Sequence, residues 1–330
     1  MACYKALYIH QEREPAGYVY PISLGGCMDS SDAHLERALE EYNQKVNELE
    51  PQGPCEELLE AYVNRGCILS MMEYRTSAME DLDSASDLIE YLEMDGDEVD
   101  PGTYVKTYTE MGNLLFEQGA DPVEAYVRAG LRVSKLNDHS RHFDHRSIVR
   151  MCIGVTEDLI DSEYPEDTEP FLGKGMSMVM TKRDAWSMNR HLELLNLEAE
   201  VADARNDPQS AIESYARAID LGTELLGMEQ LEDPEELVMS FVSKAEAEDG
   251  LGLTDMYLAD ANAAVVLMEQ MLEFNRLDDT EVLISLHHDI AGVLMKNGRI
   301  EEAEKHLMKA MSLGVHGASE YMNSQTNRSF

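Results

Sequence analysis

The chain has 330 residues, of which 44% are hydrophobic, and it carries 65 acidic against 26 basic residues, a formal net charge of −39 at pH 7. This apolar share suffices for a packed core and excludes a disordered chain. Phosphates and anionic lipids require clustered cations, so we expect no nucleic-acid and no membrane partner. The charge favours a basic or mixed-charge segment of another protein, although a merely solvated acidic surface would look the same.

The cysteine content indicates a reducing compartment. The five cysteines are odd in number and form no CxxC pair, so neither a disulfide framework nor a zinc ribbon is predicted. The first fifteen residues lack a signal-type apolar run, and the longest apolar stretch, residues 263–268, is far shorter than a membrane span. We therefore expect a cytoplasmic protein without a cofactor.

In chain order, residues 1–30 form an irregular segment whose secondary structure the sequence leaves ambiguous. Residues 30–49 read as one amphipathic helix that begins with a capping Ser or Asp. This helix is predicted to be a half-repeat that precedes the complete repeats.

Small and large residues alternate at fixed intervals in the stretch that begins at Ala61. If Gly66 is counted as position 8, large residues lie at positions 4, 11 and 24, and small ones at positions 8, 20 and 27. Positions 8 and 20 are where two paired helices would approach most closely, so only Gly or Ala fits there. The pattern therefore predicts a pair of antiparallel helices.

The same pattern returns along the chain at intervals of 46, 42, 45, 46 and 46 residues. The copy around Gly154 is the weakest, because the second helix predicted there lacks the alanines. The residues at position 8 are Gly66, Gly112, Gly154, Ala199, Ala245 and Ala291.

This pattern resembles the tetratricopeptide repeat, whose usual period is about 34 residues. The longer period here is similar to that of long-repeat relatives such as the kinesin light chain type. The resemblance implies an all-α, right-handed superhelical solenoid of about six helix pairs with a leading half-repeat. We place the repeat domain at residues 31–316 and a polar C-terminal tail at residues 317–330.

The resemblance also implies that the first helix of each pair lines a concave face, through positions 2, 5, 9 and 12. Such a groove would be acidic in its C-terminal half and more neutral near the N-terminus. We hypothesise that a basic segment binds across repeats four and five. The candidate groove residues are Val63, Cys67, Thr109, Asn113, Phe116, Glu193, Asn196, Glu200, Asp203, Val242, Glu246, Asp249 and His288.

One segment is locally basic and supports an alternative. Arg141, Arg146 and Arg150 lie close together in the sequence, among three histidines. They could hold a small anion or pair with an acidic stretch of the same molecule. A metal site is disfavoured, because the histidines would diverge on a helix and the arginines would repel a cation.

The chain contains no GxSxG, P-loop, HExxH or EF-hand motif, and no GxGxxG after a strand. We therefore predict no enzyme, no catalytic residue and no metal. The favoured function is a scaffold or adaptor for protein–protein interaction. The alternative is a regulatory sensor or enzyme-accessory protein that binds a small anion at the basic segment.

Overall fold

The computed structural model describes residues 31–274, 276–277 and 280–327. The irregular segment predicted at residues 1–30 lies outside the described residues. The described part contains thirteen α-helices and no β-strand, and none of these helices is long and apolar enough to cross a membrane. The helices are α1 Ser31–Leu49, α2 Glu56–Met71, α3 Arg75–Asp95, α4 Pro101–Glu117, α5 Val123–Val133, α6 His145–Asp161, α7 Glu169–Val179, α8 Ala185–Ala204, α9 Pro208–Gly227, α10 Pro234–Gly250, α11 Thr254–Glu273, α12 Thr280–Lys296 and α13 Ile300–Asn327.

The helices form six successive pairs, from α2 with α3 to α12 with α13, and α1 packs on α2 as a single leading helix. This arrangement confirms the all-α fold of about six helix pairs with a leading half-repeat. Successive pairs also contact each other among α2 to α7 and among α8 to α13. For example, α2 packs on α4, and α10 packs on both α8 and α9.

The described helices belong to two compact units, α1 to α7 and α8 to α13, which divide between residues 182 and 183. The sequence analysis placed a single repeat domain over residues 31–316. The division follows α6 and α7, the pair with the weakest repeat pattern. The last helix also does not end at residue 316, because α13 continues to Asn327.

Aspartates define several helix starts. The side chain of Asp144 accepts a hydrogen bond from the backbone N–H of Ser147 at 2.8 Å, and Ser147 bonds back to the Asp144 backbone. Asp184 caps α8 in a similar way, through the N–H of Ser187. Because the first N–H groups of a helix have no partner within the helix, these aspartates fix where each helix begins.

The small residues at position 8 lie where paired helices cross. A Cβ atom on Gly66 would stand 3.1 Å from Leu82 Cγ of α3. On Gly112 it would stand 2.3 Å from Tyr126 Cε1 of α5. Ala199 is fully buried and packs with residues of α9. The predicted close approach of the paired helices is therefore confirmed at these positions.

Polar pairs recur next to these crossings. Position 7 of the first helix meets position 23 of the second in three repeats. Arg65 and Asp81 join α2 to α3 through two hydrogen bonds of 2.6 and 2.7 Å. The other two pairs are Glu198 with Ser214 and Lys244 with Asp260. The sequence analysis missed these pairs, although their constant separation of 16 residues is visible in the sequence.

Helix α4 is buried on every side over residues 102–109. Its threonine hydroxyls form hydrogen bonds with backbone carbonyls of the same helix. The hydroxyl of Thr107 donates to the Thr103 carbonyl at 2.8 Å, and that of Thr109 donates to the Val105 carbonyl at 2.9 Å. Because buried hydroxyls require hydrogen bonds, this local bonding allows threonines to occupy an otherwise apolar environment.

The replacement of Gly112 by Ala should lower the free energy of unfolding by about 1–3 kcal/mol, because the new methyl group would overlap the Tyr126 ring. Gly173 is a suitable control, since a Cβ atom there would meet no atom within 4 Å. The control Gly173→Ala should be neutral or stabilising by about 0.5–1 kcal/mol. Urea titrations followed by circular dichroism measure both; equal stability of the Gly112→Ala and parent proteins would contradict the close approach.

Candidate functional site

The first helices of the N-terminal unit bury most of the groove positions proposed for them. Val63 and Cys67 belong to the apolar core, and Thr109 is 2% exposed. Burial raises the pKa of the Cys67 thiol to about 12, so the thiol stays protonated. The structure corrects the assignment of these three residues to an open groove. The reason is that α2 packs on α4, so that positions 5 and 9 of α2 and position 5 of α4 point into the contact between successive repeats.

Asn113 is half-buried and engaged within the unit. The Tyr126 hydroxyl of α5 lies 2.9 Å from Asn113 Oδ1 and 2.5 Å from Asp158 Oδ2 of α6. The tyrosine thus links α4, α5 and α6. Burial raises the pKa of Tyr126, and the Asp158 carboxylate raises it further. Phe116, one turn beyond Asn113, is half-buried.

In the C-terminal unit, Asn196 is buried and joins two first helices. Its amide Nδ2 donates to Glu236 Oε2 at 3.0 Å, and the Ser240 hydroxyl donates to its Oδ1 at 2.7 Å. Val242, on the same helix α10, is 3% exposed and lies in the core. Both residues therefore hold α10 in place, which corrects their assignment to the groove.

Glu193 is also engaged within the C-terminal unit. Its carboxylate is half-buried and lies 2.8 Å from Arg190 Nη1. The same guanidinium bonds Glu232, after the end of α9, at 2.7 Å. Glu193 therefore forms an ion pair with Arg190 of the same helix.

Four of the proposed acidic groove residues are exposed, namely Glu200, Asp203, Glu246 and Asp249. They occupy positions 9 and 12 of α8 and α10. The sequence therefore identified an accessible acidic pair on each of two successive first helices.

Carboxylates from different helices affect the pKa values of the same groups. Burial raises the pKa of Tyr215, whose hydroxyl bonds Ser243, and Glu200, Asp203 and Glu246 raise it further. Loss of solvent around Glu246 raises the pKa of its own carboxyl, and Asp289 and Asp203 add to the effect. We call Glu200, Asp203, Glu246 and Asp289 the acidic surface.

Helix α12 contributes Asp289 to the acidic surface, whereas the sequence predicted His288 as the site residue of this helix. His287 is buried and His288 is exposed, which confirms the proposed register. Asp289, at position 6 of α12, and Ser243, at position 6 of α10, were not among the predicted site residues. Residues three and four apart share a helix face, so position 6 lies on the same face as positions 2 and 9.

The basic segment is partly neutralised by the chain itself. Arg141 Nη1 lies 2.9 Å from Glu56 Oε1 and 3.6 Å from Glu60 Oε2 of α2. Arg146 and Arg150 are exposed on α6. The N-terminus of that helix, which would otherwise attract an anion, is already capped by the Asp144 carboxylate.

The histidines of this segment do not converge. His142 Nε2 lies 3.3 Å from Thr103 Oγ1, and desolvation together with the charge of Lys106 lowers its pKa to about 4. His145 lies instead beside Lys182 and Asp138. Over the residues that the structure describes, no group of three or more His, Cys, Asp or Glu side chains could hold a metal ion.

Asn196→Ala should lower the free energy of unfolding by about 1–3 kcal/mol, since it removes two hydrogen bonds between α8 and α10 from a buried site. The control Gln209→Ala removes an exposed amide on α9 and should change stability by less than about 0.5 kcal/mol. Thermal and urea unfolding measure both. If Asn196 were instead a groove residue reserved for a partner, the substitution would leave stability unchanged.

The chain is similar to known helical repeat proteins. A tetratricopeptide repeat family model matches residues 284–313, which span most of α12 and the first half of α13. No curated protein sequence matches the chain.

Several solved structures are similar to the chain, and three of them illustrate the similarity. Aspartyl phosphate phosphatase F from Bacillus subtilis is 12% identical over 89% of this chain and 77% of its own, with a TM-score of 0.50. The structure of MamA is 16% identical over 63% and 97%, with a TM-score of 0.43. A putative kinesin light chain of Podosopora anserina is 15% identical over 66% and 98%, also at 0.43.

At these identities the similarities concern the fold alone, and the match with a TM-score of 0.50 is the one that bears on it. Three features of the chain itself support the fold assignment: the six helix pairs, the small residues at their crossings, and the repeat that the family model matches. The chain is thus a tetratricopeptide-like repeat protein.

Proposed function

We propose that the chain is a non-catalytic scaffold or adaptor that binds a basic or mixed-charge segment of a partner protein at the acidic surface of its C-terminal unit. The proposal concerns Glu200, Asp203, Glu246 and Asp289, with Asp249 and His288 at their borders. The protein would act in the cytoplasm, without a cofactor, and with neither a nucleic acid nor a membrane as partner.

One observation carries the proposal. Exposed carboxylates occupy the same positions, 9 and 12, of α8 and α10, and these two first helices pack on each other. Asp289 on the next first helix, α12, is also exposed and contributes to the raised pKa of Glu246. Like charges brought together on a folded surface repel one another and lower stability. A partner that supplies cations would relieve this repulsion and would therefore bind selectively there.

Tyr215 stabilises the helices that carry the acidic surface. It is 4% exposed, packs on Ala199 of α8, and its hydroxyl bonds Ser243 of α10. The groups open to a partner are therefore the exposed carboxylates. Because lysine and arginine supply the complementary charge, we favour a lysine- or arginine-bearing segment over a uniformly apolar one.

The buried polar groups of both units support a non-catalytic role. Arg65 with Asp81, Lys244 with Asp260, and Asn196 with Ser240 each join two helices. Their hydrogen bonds are directed at neighbouring helices, so their present geometry serves packing and leaves them poorly placed to act on a substrate.

The alternative, a sensor for a small anion at Arg141, Arg146 and Arg150, has weaker support. Arg141 already lies against two carboxylates of α2, so an anion would have to displace them. We keep this alternative as a secondary proposal that the same binding assays address.

A fourfold variant, Glu200→Gln, Asp203→Asn, Glu246→Gln and Asp249→Asn, should weaken binding of a lysine- and arginine-rich peptide by roughly 10- to 100-fold, because each exposed charge contributes about 0.2–1 kcal/mol. Fluorescence anisotropy with a labelled peptide measures the affinity. Binding to the parent protein should also fall as salt increases, since exposed charges are screened beyond about 8 Å at physiological ionic strength.

The matched control changes the net charge equally but elsewhere in the same unit. Glu213→Gln, Asp220→Asn, Glu224→Gln and Glu273→Gln alter exposed residues of α9 and α11. This control should bind the basic peptide like the parent protein. Equal weakening by both variants would reduce the effect to net charge and would overturn the proposed surface, and so would tight binding of a glutamate-rich peptide of the same length.

A further inference from the structure

Two histidines face each other inside the last helix pair. His287 of α12 is 2% exposed, and its Nδ1 lies 3.0 Å from Nδ1 of His306 on α13. The ring centroids are 5.2 Å apart. His287 occupies position 4 of its repeat, which holds Tyr62 in the first repeat and Leu195 in the fourth. A titratable ring therefore stands where the fold elsewhere uses a large packing residue.

The contact suits two neutral rings. A short distance between two Nδ1 atoms requires one nitrogen to donate a proton and the other to accept it. The other nitrogen of His287, Nε2, is buried and has no hydrogen-bond partner in the part of the chain that the structure describes. If both rings were protonated, two N–H groups would point at each other, and a buried cation would be left without a bonded anion.

The surrounding charges come from all three helices at this site. Glu269 of α11 has its Oε1 4.0 Å from His287 Nε2, but the same oxygen accepts a hydrogen bond from Lys309 of α13 at 2.8 Å. On α12, His288 adds positive charge when protonated, and on α13, Glu302 favours the protonated form of His306.

The balance of these charges disfavours protonation. Burial, together with the charge of the neighbouring His306, lowers the pKa of His287 to about 4. Burial also lowers the pKa of His306, in spite of Glu269 and Glu302. The one carboxylate near His287 is already shared with Lys309, so it compensates the buried charge only in part.

We propose that the His287–His306 contact is an acid-sensitive joint, at which protonation loosens α13 from α12. Protons bind the released histidines more readily than the packed ones. The packing is therefore at full strength above pH 6.5, the ordinary histidine value, and weakens as the pH falls toward about 4, below which no further loss occurs.

Hydrogen–deuterium exchange of residues 300–314, corrected for the intrinsic pH dependence of exchange, tests the proposal. In the parent protein, protection of this segment should fall roughly 30-fold between pH 8 and pH 5, the ratio that a shift from 6.5 to about 4 gives for one histidine. Protection of α8 and α9 should change far less. An equal fall in α8 and α9 would mean general acid destabilisation and would overturn the local assignment.

Three variants sharpen the test. His287→Leu with His306→Leu should abolish the fall in α13 protection, because no titratable ring remains at the contact. Should that variant fail to fold, His287→Gln keeps a hydrogen-bonding side chain and should reduce the fall. His139→Asn, which replaces an exposed histidine of the N-terminal unit, should leave the fall unchanged. A fall of the same size in His287→Gln as in the parent protein would overturn the proposal.

Discussion

The close approach of paired helix backbones is the constraint on which the other features of both units depend. At Gly112 the side chain of Tyr126 occupies the space that a Cβ atom would need, and at Gly66 the limit is set by Leu82. Once two helices touch at one such point, their rotation about their own axes is fixed. Position 5 is then directed toward the next repeat, which explains why Val63 and Asn196 are buried.

Polar pairs complement this packing. Arg65–Asp81, Glu198–Ser214 and Lys244–Asp260 connect equivalent positions of three different repeats. The charges of Arg65–Asp81 and Lys244–Asp260 are largely buried. A buried charge is strongly destabilising when its partner is misplaced, so these two pairs penalise a slip of one helix along the other. In the last repeat, position 23 of the second helix holds His306, which contacts His287 of the first helix. A titratable contact therefore stands where other repeats have a polar or ionic pair.

In spite of the net charge of −39, carboxylates pair with cations of the chain in both units. In the N-terminal unit, carboxylates meet the chain's own cations: Glu56 and Glu60 lie beside Arg141, and Glu90 bonds Arg128. In the C-terminal unit, Glu193 and Glu232 lie beside Arg190, and Lys244 bonds Asp260. The proposed binding role rests instead on the acidic surface, where cations from a partner would relieve the repulsion between exposed carboxylates.

The sequence alone determined the helix pairs, their crossings and the leading helix, because Gly or Ala at position 8 is a local steric requirement that repeats at a readable interval. It also identified Glu200, Asp203 and Glu246 as exposed acids. It could not decide which groove positions stay open: Asn196 and Glu200 lie four residues apart on one helix, yet one is buried under α10 and the other is exposed. Only the tertiary structure decided this, because burial depends on how closely the next helix packs, and distant residues set that distance.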